Sequence, residues 1–346
     1  MNKVKKMIHQ STLVTTRSLW LCLLFAGCGP NDIEAYLSSK HEKGKLNGNV
    51  LVVRKDTTIY ERSFGFADAE GTERLTSGHR FNVGSIYKEF PAVAIMQLQE
   101  KGQLHIGDRI SRYLTNLPNW SEKVTVKHLL QYSSGLPQVP WQAFFQSDQP
   151  VIDEMLMGHL RSIEKLEFEP GTDYLYTNFS PILLMKIVEA VTKLTFTNYA
   201  ETYLWQAPGM DNTIFCSQYP YQNEIRMAIP FDNKGEVDDY NMKVPALLMA
   251  FTAHDLFKWL QQLHAFRIIS KPSLQLLSQR AGDQSPLGIC DWQNDLVLRH
   301  HHHGSSGNYE AVVQYYAKKE IAIIILTNRK AGNVSEMAND IMSMLE

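Results

Sequence analysis

Three short motifs, which occur in a fixed order along the chain, carry side chains suited to nucleophilic chemistry. They are Ser85-Ile-Tyr-Lys88, Tyr176-Thr-Asn178 and His302-His303-Gly304. Together they could supply a hydroxyl nucleophile, a base and a backbone edge that binds an oxyanion. Each is short enough to arise by chance, and second copies occur at Ser162-Ile-Glu-Lys165 and Tyr221-Gln-Asn223. The surrounding sequence must therefore show which copy of each motif is the candidate site.

The context of Ser85 predicts a helix N-terminus. An apolar segment, residues 90–98, follows Lys88, and a residue three positions after a helical serine lies on the same helix face. The helix dipole at this end favours developing negative charge. An N-cap serine beside a surface lysine is the alternative, although a lysine next to so apolar a run is expected to be held inward. Ser162 lies instead in a charged helix end, which solvation explains.

A turn and a helix frame the second motif. Tyr176 follows the turn Pro170-Gly171 and precedes a helix that is predicted to begin at Ser180. Tyr221 has no such frame, because it lies in a polar loop, and we interpret it as part of the scaffold.

Four consecutive histidines, His300 to His303, could suggest a metal site. Successive side chains of a strand point to opposite faces, so four neighbouring histidines cannot converge on one ion, and no metal is predicted. His300 and His302 should share one face of an edge strand. We expect that face to line the active-site cleft.

The elements that must position these motifs predict an α+β fold. Strands are predicted at residues 49–54, 58–64, 296–300, 311–316 and 321–326, the first two joined by a turn at 55–57. Helices are predicted at residues 85–100, 126–131, 152–165, 180–194, 253–266 and 333–346. Because the strands lie at both chain ends, the ends must meet in one antiparallel sheet with flanking helices. The middle, about residues 105–265, then forms an inserted, mainly helical subdomain, and the cleft between sheet and helices is the expected site.

Composition and the N-terminus predict an exported, membrane-anchored protein. The formal charge of -2 favours neither nucleic acid nor an acidic membrane surface as partner, and 44% hydrophobic residues suit a globular domain. Basic residues before the apolar stretch 19–27 predict an export signal, residues 1–27. Leu24-Phe25-Ala26-Gly27-Cys28 resembles a lipobox, in which the cysteine is lipidated; an ordinary signal peptide is the alternative. Residues 28–44 would then be a tether, and residues 45–346 a single domain that faces the periplasm or cell exterior.

After processing, Cys216 and Cys290 are the cysteines that remain in addition to Cys28. Spacing leaves open whether they form a disulfide or stay as two buried thiols. No pair has the CxxC spacing of a zinc framework.

With these residues identified, the chain resembles the serine β-lactamase and penicillin-recognising superfamily, in its branch of class C β-lactamases, D-peptidases and esterases. The resemblance covers essentially the whole mature chain. Two landmarks agree, namely Gln131-Tyr-Ser-Ser-Gly-Leu-Pro137, which is similar to the family's His-Thr-Ser-Gly-Leu-Pro loop, and Thr327-Asn328 after the last predicted strand. The resemblance implies a β-lactamase/transpeptidase-like fold and no cofactor.

The resemblance also implies that Ser85 attacks an acyl carbonyl and forms an acyl-enzyme that water hydrolyses. Lys88 and Tyr176 would share the proton transfer. A lysine with an ordinary pKa near 10.4 needs that pKa lowered by about 3 to be mostly neutral at pH 7. Alternatively, Lys88 stays charged and stabilises the Tyr176 phenolate, and the pair titrates as a unit.

The remaining site residues are likewise implied by the resemblance. Backbone N–H groups of Ser85 and Ser305 would form the oxyanion hole, and Gly304, without a Cβ atom, would let the substrate approach the strand edge. Asn178 would hydrogen-bond Lys88 and the substrate amide.

His302 departs from the family pattern, because penicillin-hydrolysing members usually carry the lysine of Lys-Thr-Gly at this position. An ordinary histidine is protonated only about a quarter of the time at pH 7, so it would hold a substrate carboxylate less well. We therefore expect weak β-lactamase activity and a preference for esters, D-amino acid amides or D-peptides, including peptides derived from peptidoglycan. A non-catalytic relative that binds cell-wall peptides or a partner is the alternative.

Overall fold

The structure, a computed structural model, describes residues 30–222 and 224–346, and these fold around a six-stranded antiparallel sheet. The predicted export signal and the lipidation at Cys28 lie outside the described residues. The strands along the chain are β1 Gly48–Arg54, β2 Thr57–Phe64, β3 Phe81–Asn82, β4 Val151–Ile152, β5 Ile214–Phe215, β6 Met242–Lys243, β7 Met249–Phe251, β8 Ile289–Gln293, β9 Leu296–Ser306, β10 Tyr309–Tyr316 and β11 Ile321–Thr327. In order across the six-stranded sheet, the strands are β2-β1-β11-β10-β9-β8.

Helices cover both faces of this sheet. They are α1 Pro30–Glu42, α2 Glu89–Glu100, α3 Val126–Leu130, α4 Trp141–Phe145, α5 Asp153–Ser162, α6 Phe179–Thr192, α7 Phe196–Ala200, α8 Ala253–His264, α9 Lys271–Leu277 and α10 Val334–Met344. Short 3₁₀ turns occur at Gly84–Lys88, Ile110–Arg112, Asn119–Glu122, Pro245–Leu247 and Ala317–Lys319, and a π-helical turn at Glu201–Trp205.

The two chain ends meet in the sheet, as predicted. β1 pairs with β11 along its whole length, so that Leu51 lies opposite Ile324. β1 and β2 form the predicted hairpin through a two-residue loop, in which Lys55 and Asp56 have φ values of 50° and 59°. Positive φ at both loop positions matches the twist of the strands. The α+β fold class is therefore confirmed.

Alternation along the central strands divides the core into two layers. Val50 and Val52 of β1 face one side, where they share a core with α1 and α10. Leu51 and Val53 face the other side and join the larger core, which includes α2, α6 and α8. Strand periodicity thus places one set of helices on each face.

Residues 30–42 form α1, which differs from the expected tether at 28–44. Ile33 and Leu37 lie four positions apart on one helix face, and both are fully buried against the sheet. The middle of the chain also contains two small sheets, β3-β7-β5 and β4-β6. Their strands have two or three residues, which is too short for an alternating pattern to show.

Cys216 and Cys290 are buried free thiols, which decides between the two alternatives left open by the sequence. In residues 30–222 and 224–346, no helix combines the length and apolar character needed to cross a bilayer.

Candidate active site

Ser85 lies in a tight turn that leads directly into α2. The turn, Gly84–Lys88, is 3₁₀-helical, so the α-helix begins four residues later than the sequence predicted. Gly84 has a φ of +51°, and a Cβ atom there would lie 2.2 Å from the backbone nitrogen of Ser305. Glycine is therefore required both for the backbone conformation and for the close approach of β9.

Lys88 and Tyr176 converge on the hydroxyl of Ser85. The Nζ atom of Lys88 lies 2.7 Å from Ser85 Oγ, and the Tyr176 hydroxyl donates to the same oxygen over 2.8 Å. Lys88 Nζ also lies 4.7 Å from the centre of the Tyr176 ring. The tertiary structure thus brings together two motifs that are 91 residues apart in the sequence.

Burial changes the acid–base properties of both partners. Lys88 is only 2% exposed, and within the described chain no carboxylate forms an ion pair with it. Desolvation lowers the pKa of Lys88 to about 7 and raises the pKa of Tyr176 to about 12. Near neutral pH the lysine is therefore partly neutral, whereas the tyrosine keeps its proton.

The segment 131–137, which sequence analysis used only as a landmark, supports Tyr176. Tyr132 packs its ring 4.8 Å from the Tyr176 ring, and its backbone oxygen accepts a hydrogen bond from the nitrogen of Leu175. Ser133 accepts a second backbone hydrogen bond, from Gly171. Because the chain before Tyr176 is tied to this segment at two points and the rings pack together, the phenol is held in place.

Asn178, immediately before α6, lines the same cleft as Ser85 and Lys88. The implied hydrogen bond from Asn178 to Lys88 is not among the contacts that the described chain makes. The second Ser-x-x-Lys copy does not form a comparable site, because Ser162 is exposed and its hydroxyl donates to the backbone oxygen of His159.

Ser305 and Gly304 bring the edge of β9 to the nucleophile. β8 pairs with β9 only as far as His301, and beyond that point Ser305 and Ser306 of β9 line the cleft. A Cβ atom at Gly304 would lie 1.9 Å from the backbone oxygen of Val83 and 2.9 Å from the nitrogen of Ser85. Gly304 therefore makes room for the turn that carries Ser85, a role that the sequence did not predict, and its expected role in substrate approach stays a prediction.

His302 is turned away from the cleft, which corrects the sequence-based prediction. It shares a face with His300, as expected, but that face packs into the core, and His302 is 1% exposed. Its Nδ1 atom lies 2.7 Å from Oε1 of Glu89. Burial lowers the pKa of His302, although Glu89 partly opposes this effect. A buried, largely neutral imidazole cannot hold a substrate carboxylate in the cleft.

Glu89 is the site residue that sequence analysis missed. It is fully buried in the first turn of α2, directly after Lys88. Burial alone would raise the pKa of its carboxyl, but attraction and hydrogen bonds from His300 and His302 lower it below the usual value. The carboxylate oxygen and ring nitrogens of these three residues lie within 4.8 Å of one another. Among the described residues, this group has the residue types and spacing that could hold a metal ion. The sequence signal that could have identified Glu89 is an acidic residue next to an apolar segment.

The cleft over Ser85 has a volume of about 480 Å³ and a mixed lining. Residues 138–150 and 218–242, two loops that the sequence alone could not place, supply much of this lining. Its apolar walls are Trp141, Phe145, Tyr240, Met242, Leu247 and Leu248, and two carboxylates, Asp238 and Asp239, stand on one side. The Trp141 and Phe145 rings stack 5.7 Å apart. The cleft therefore suits a substrate with an apolar group next to the reacting carbonyl.

Among curated proteins, the chain has several relatives. The chain is similar to penicillin-binding protein 4* of Bacillus subtilis (strain 168), with 30% identity over 179 residues, which is 50% of this chain and 38% of that protein. It spans about half or less of the length of the curated relatives it matches.

Two solved structures share the fold. A penicillin binding protein from Bacillus halodurans has a TM-score of 0.78 at 23% identity, covering 89% of this chain and 99% of that one. The D-amino acid amidase from Ochrobactrum anthropi SV3, complexed with L-phenylalanine, has a TM-score of 0.76 at 18% identity, covering 91% and 98%. The Beta-lactamase family model matches residues 33–342. Since that match spans most of the chain, the protein belongs to the beta-lactamase family.

Proposed function

We propose that the protein is a lipid-anchored, extracytoplasmic serine hydrolase in which Ser85 forms an acyl-enzyme with esters, D-amino acid amides or D-peptides. The observation that carries this proposal is the convergence of Lys88 Nζ and the Tyr176 hydroxyl on Ser85 Oγ, at 2.7 and 2.8 Å. A nucleophile within hydrogen-bond reach of a base that a further group orients is the arrangement that covalent catalysis requires.

In the proposed mechanism, neutral Lys88 accepts the proton of Ser85 as Oγ attacks the carbonyl carbon. The lysine is the base because its pKa is about 7, whereas the pKa of Tyr176 is about 12 and its phenolate is rare near neutral pH. Tyr176 donates a hydrogen bond to Oγ, gives its own hydroxyl proton to the leaving group and is reprotonated by the Lys88 ammonium. Backbone N–H groups of Ser85 and Ser305 stabilise the oxyanion, and water then releases the acyl group.

The substrate preference follows from the cleft. Position 302 offers no cation, so a β-lactam carboxylate lacks its usual partner there, and β-lactam turnover should be weak. The apolar wall of Trp141 and Phe145 favours hydrophobic acyl groups. The shared fold with a D-amino acid amidase supports amides of hydrophobic D-amino acids as candidates.

Intact mass measurement tests the proposed activity. Wild type should gain the acyl mass from p-nitrophenyl esters and D-amino acid amides, and Ser85→Ala should gain none. Nitrocefin hydrolysis at diffusion-limited efficiency would contradict the substrate preference. A wild type that no ester, lactam, D-peptide or fluorophosphonate probe labels would favour the non-catalytic binder of cell-wall peptides.

The anchor is proposed from residues 24–28 of the sequence. Metabolic labelling with palmitate should mark the wild type and not Cys28→Ala. An unlabelled wild type would contradict the lipid anchor and favour an ordinary signal peptide.

A further inference from the structure

Glu89 connects three elements behind the active site. Its Oε1 accepts a hydrogen bond from His302 Nδ1 on β9 over 2.7 Å, and its Oε2 accepts one from Trp259 Nε1 on α8, also over 2.7 Å. His300 Nε2 lies 3.2 Å from the same Oε1, and the other ring nitrogen of His300, Nδ1, lies 3.0 Å from His264 Nε2. Removing a carboxylate from water costs several kcal/mol unless donors surround it. The Glu89 carboxylate is fully buried, and the His302 and Trp259 donors surround it.

The spacing of these atoms fits hydrogen bonds better than a metal ion. Two ligand atoms at about 2.1 Å from a tetrahedral zinc ion are roughly 3.4 Å apart. His302 Nδ1 and Glu89 Oε1 are only 2.7 Å apart, which is a charge-assisted hydrogen-bond distance. A shared proton therefore accounts for the pair.

The 3₁₀ turn that leads into α2 and the strand β9 carry the expected oxyanion donors. Ser85 precedes Glu89 by four residues, and Ser305 follows His302 by three. The backbones of the two segments touch, because a Cβ atom at Gly84 would lie 2.2 Å from Ser305 nitrogen. Steric contact limits how closely the two segments approach, but it does not stop them from moving apart. A bond is needed to prevent them from moving apart.

We propose that Glu89 and His302 are positioning residues, whose hydrogen bond holds the N-terminus of α2 against β9 so that the Ser85 and Ser305 N–H groups face one oxyanion. This inference rests on the proposed function. Neither side chain lines the cleft or touches the nucleophile. Their effect is on geometry, and a displacement of about 1 Å in a reacting site can cost roughly 100-fold in rate.

Three variants test the pair. His302→Leu removes the donor, Glu89→Gln removes the charge at constant shape, and His302→Asn places an amide N–H near the position of Nδ1. His303→Leu is the matched control, because His303 pairs with Glu310 over 2.9 Å on the opposite face of β9. The acylation rate with a p-nitrophenyl ester is measured per active site, counted by fluorophosphonate titration.

We expect His302→Leu and Glu89→Gln to lower the acylation rate about 10- to 100-fold, with KM changed less than about twofold. His302→Asn should recover most of the loss, and His303→Leu should behave as wild type. If His302→Leu does not fold, Glu89→Gln and His302→Asn still make the comparison.

Unchanged rates per active site in His302→Leu and Glu89→Gln, with only a lower melting temperature, would overturn positioning in favour of a structural role. An equal loss in His303→Leu, or stoichiometric zinc in the purified wild type, would also overturn it. A wild type that forms no adduct with any probe would overturn the proposed function and this inference with it. A wild type that acylates normally beside unaffected variants would overturn this inference alone.

Discussion

Lys88 Nζ lies 2.7 Å from Ser85 Oγ in a position where the lysine side chain is almost completely removed from water. An ammonium group loses its hydration there, and among residues 30–222 and 224–346 no carboxylate pairs with it. Its pKa therefore falls to about 7, and a group that is ordinarily always charged becomes a base at physiological pH.

The pH dependence of acylation should report this change. Since only neutral Lys88 can accept the Ser85 proton, kcat/KM should fall about tenfold for each pH unit below about 7 and level off above it. The limb set by Tyr176 should lie near pH 12, outside the usual assay range. Initial rates with a p-nitrophenyl ester between pH 5 and 9 measure the profile. A flat profile over that range would contradict Lys88 as the base.

Tyr176→Phe should separate the catalytic effect of the hydroxyl from the packing effect of the ring. Phenylalanine keeps the packing against Tyr132, so the free energy of unfolding should change by less than about 1 kcal/mol. The lost proton transfer should lower the acylation rate roughly 100- to 10,000-fold. Stopped-flow acylation together with urea unfolding checks both expectations. Near wild-type acylation in this variant would remove Tyr176 from the mechanism.

Gly304→Ala should push β9 away from the nucleophile turn. The new Cβ would lie 1.9 Å from Val83 oxygen, which is backbone and cannot move away independently. We expect a loss of about 1–3 kcal/mol in the free energy of unfolding and at least tenfold in acylation. Gly158→Ala in α5 is the control, because its new Cβ approaches only the end of the Arg161 side chain, at 3.8 Å. A fully active, stable Gly304→Ala would refute the close contact.

Lys330 should affect substrates that carry a carboxylate. Its exposed Nζ donates to Ser305 Oγ over 2.9 Å, so it places a cation at the rim of the cleft that position 302 does not supply. Lys330→Ala should raise KM for D-alanyl peptides about two- to tenfold and leave neutral esters unchanged. Lys318→Ala, which removes an exposed lysine bonded to Gln293, is the control. Equal effects on peptides and esters would contradict a carboxylate contact.

The main helices and strands, and the motifs that carry Ser85 and Tyr176, could be predicted because their sequence signals are local. An apolar run after Lys88 indicates a buried helix, and a turn before Tyr176 indicates a loop that feeds another helix. The apolar runs in β1 and β11 indicate strands that are buried in one sheet. Each signal depends on residues within a few positions of one another.

The tertiary structure alone decided what His302, Gly304 and Lys88 do. His302 meets Glu89 across 213 residues, so no local pattern could show that its ring faces a buried carboxylate and supplies no cation to the cleft. Gly304 serves the contact with Val83 because two distant backbones approach there. The pKa of Lys88 depends on how completely other segments exclude water from it. Residue type and spacing thus determined the available chemistry, whereas burial and long-range contacts, which arise only when the chain is packed, decided the role of each group.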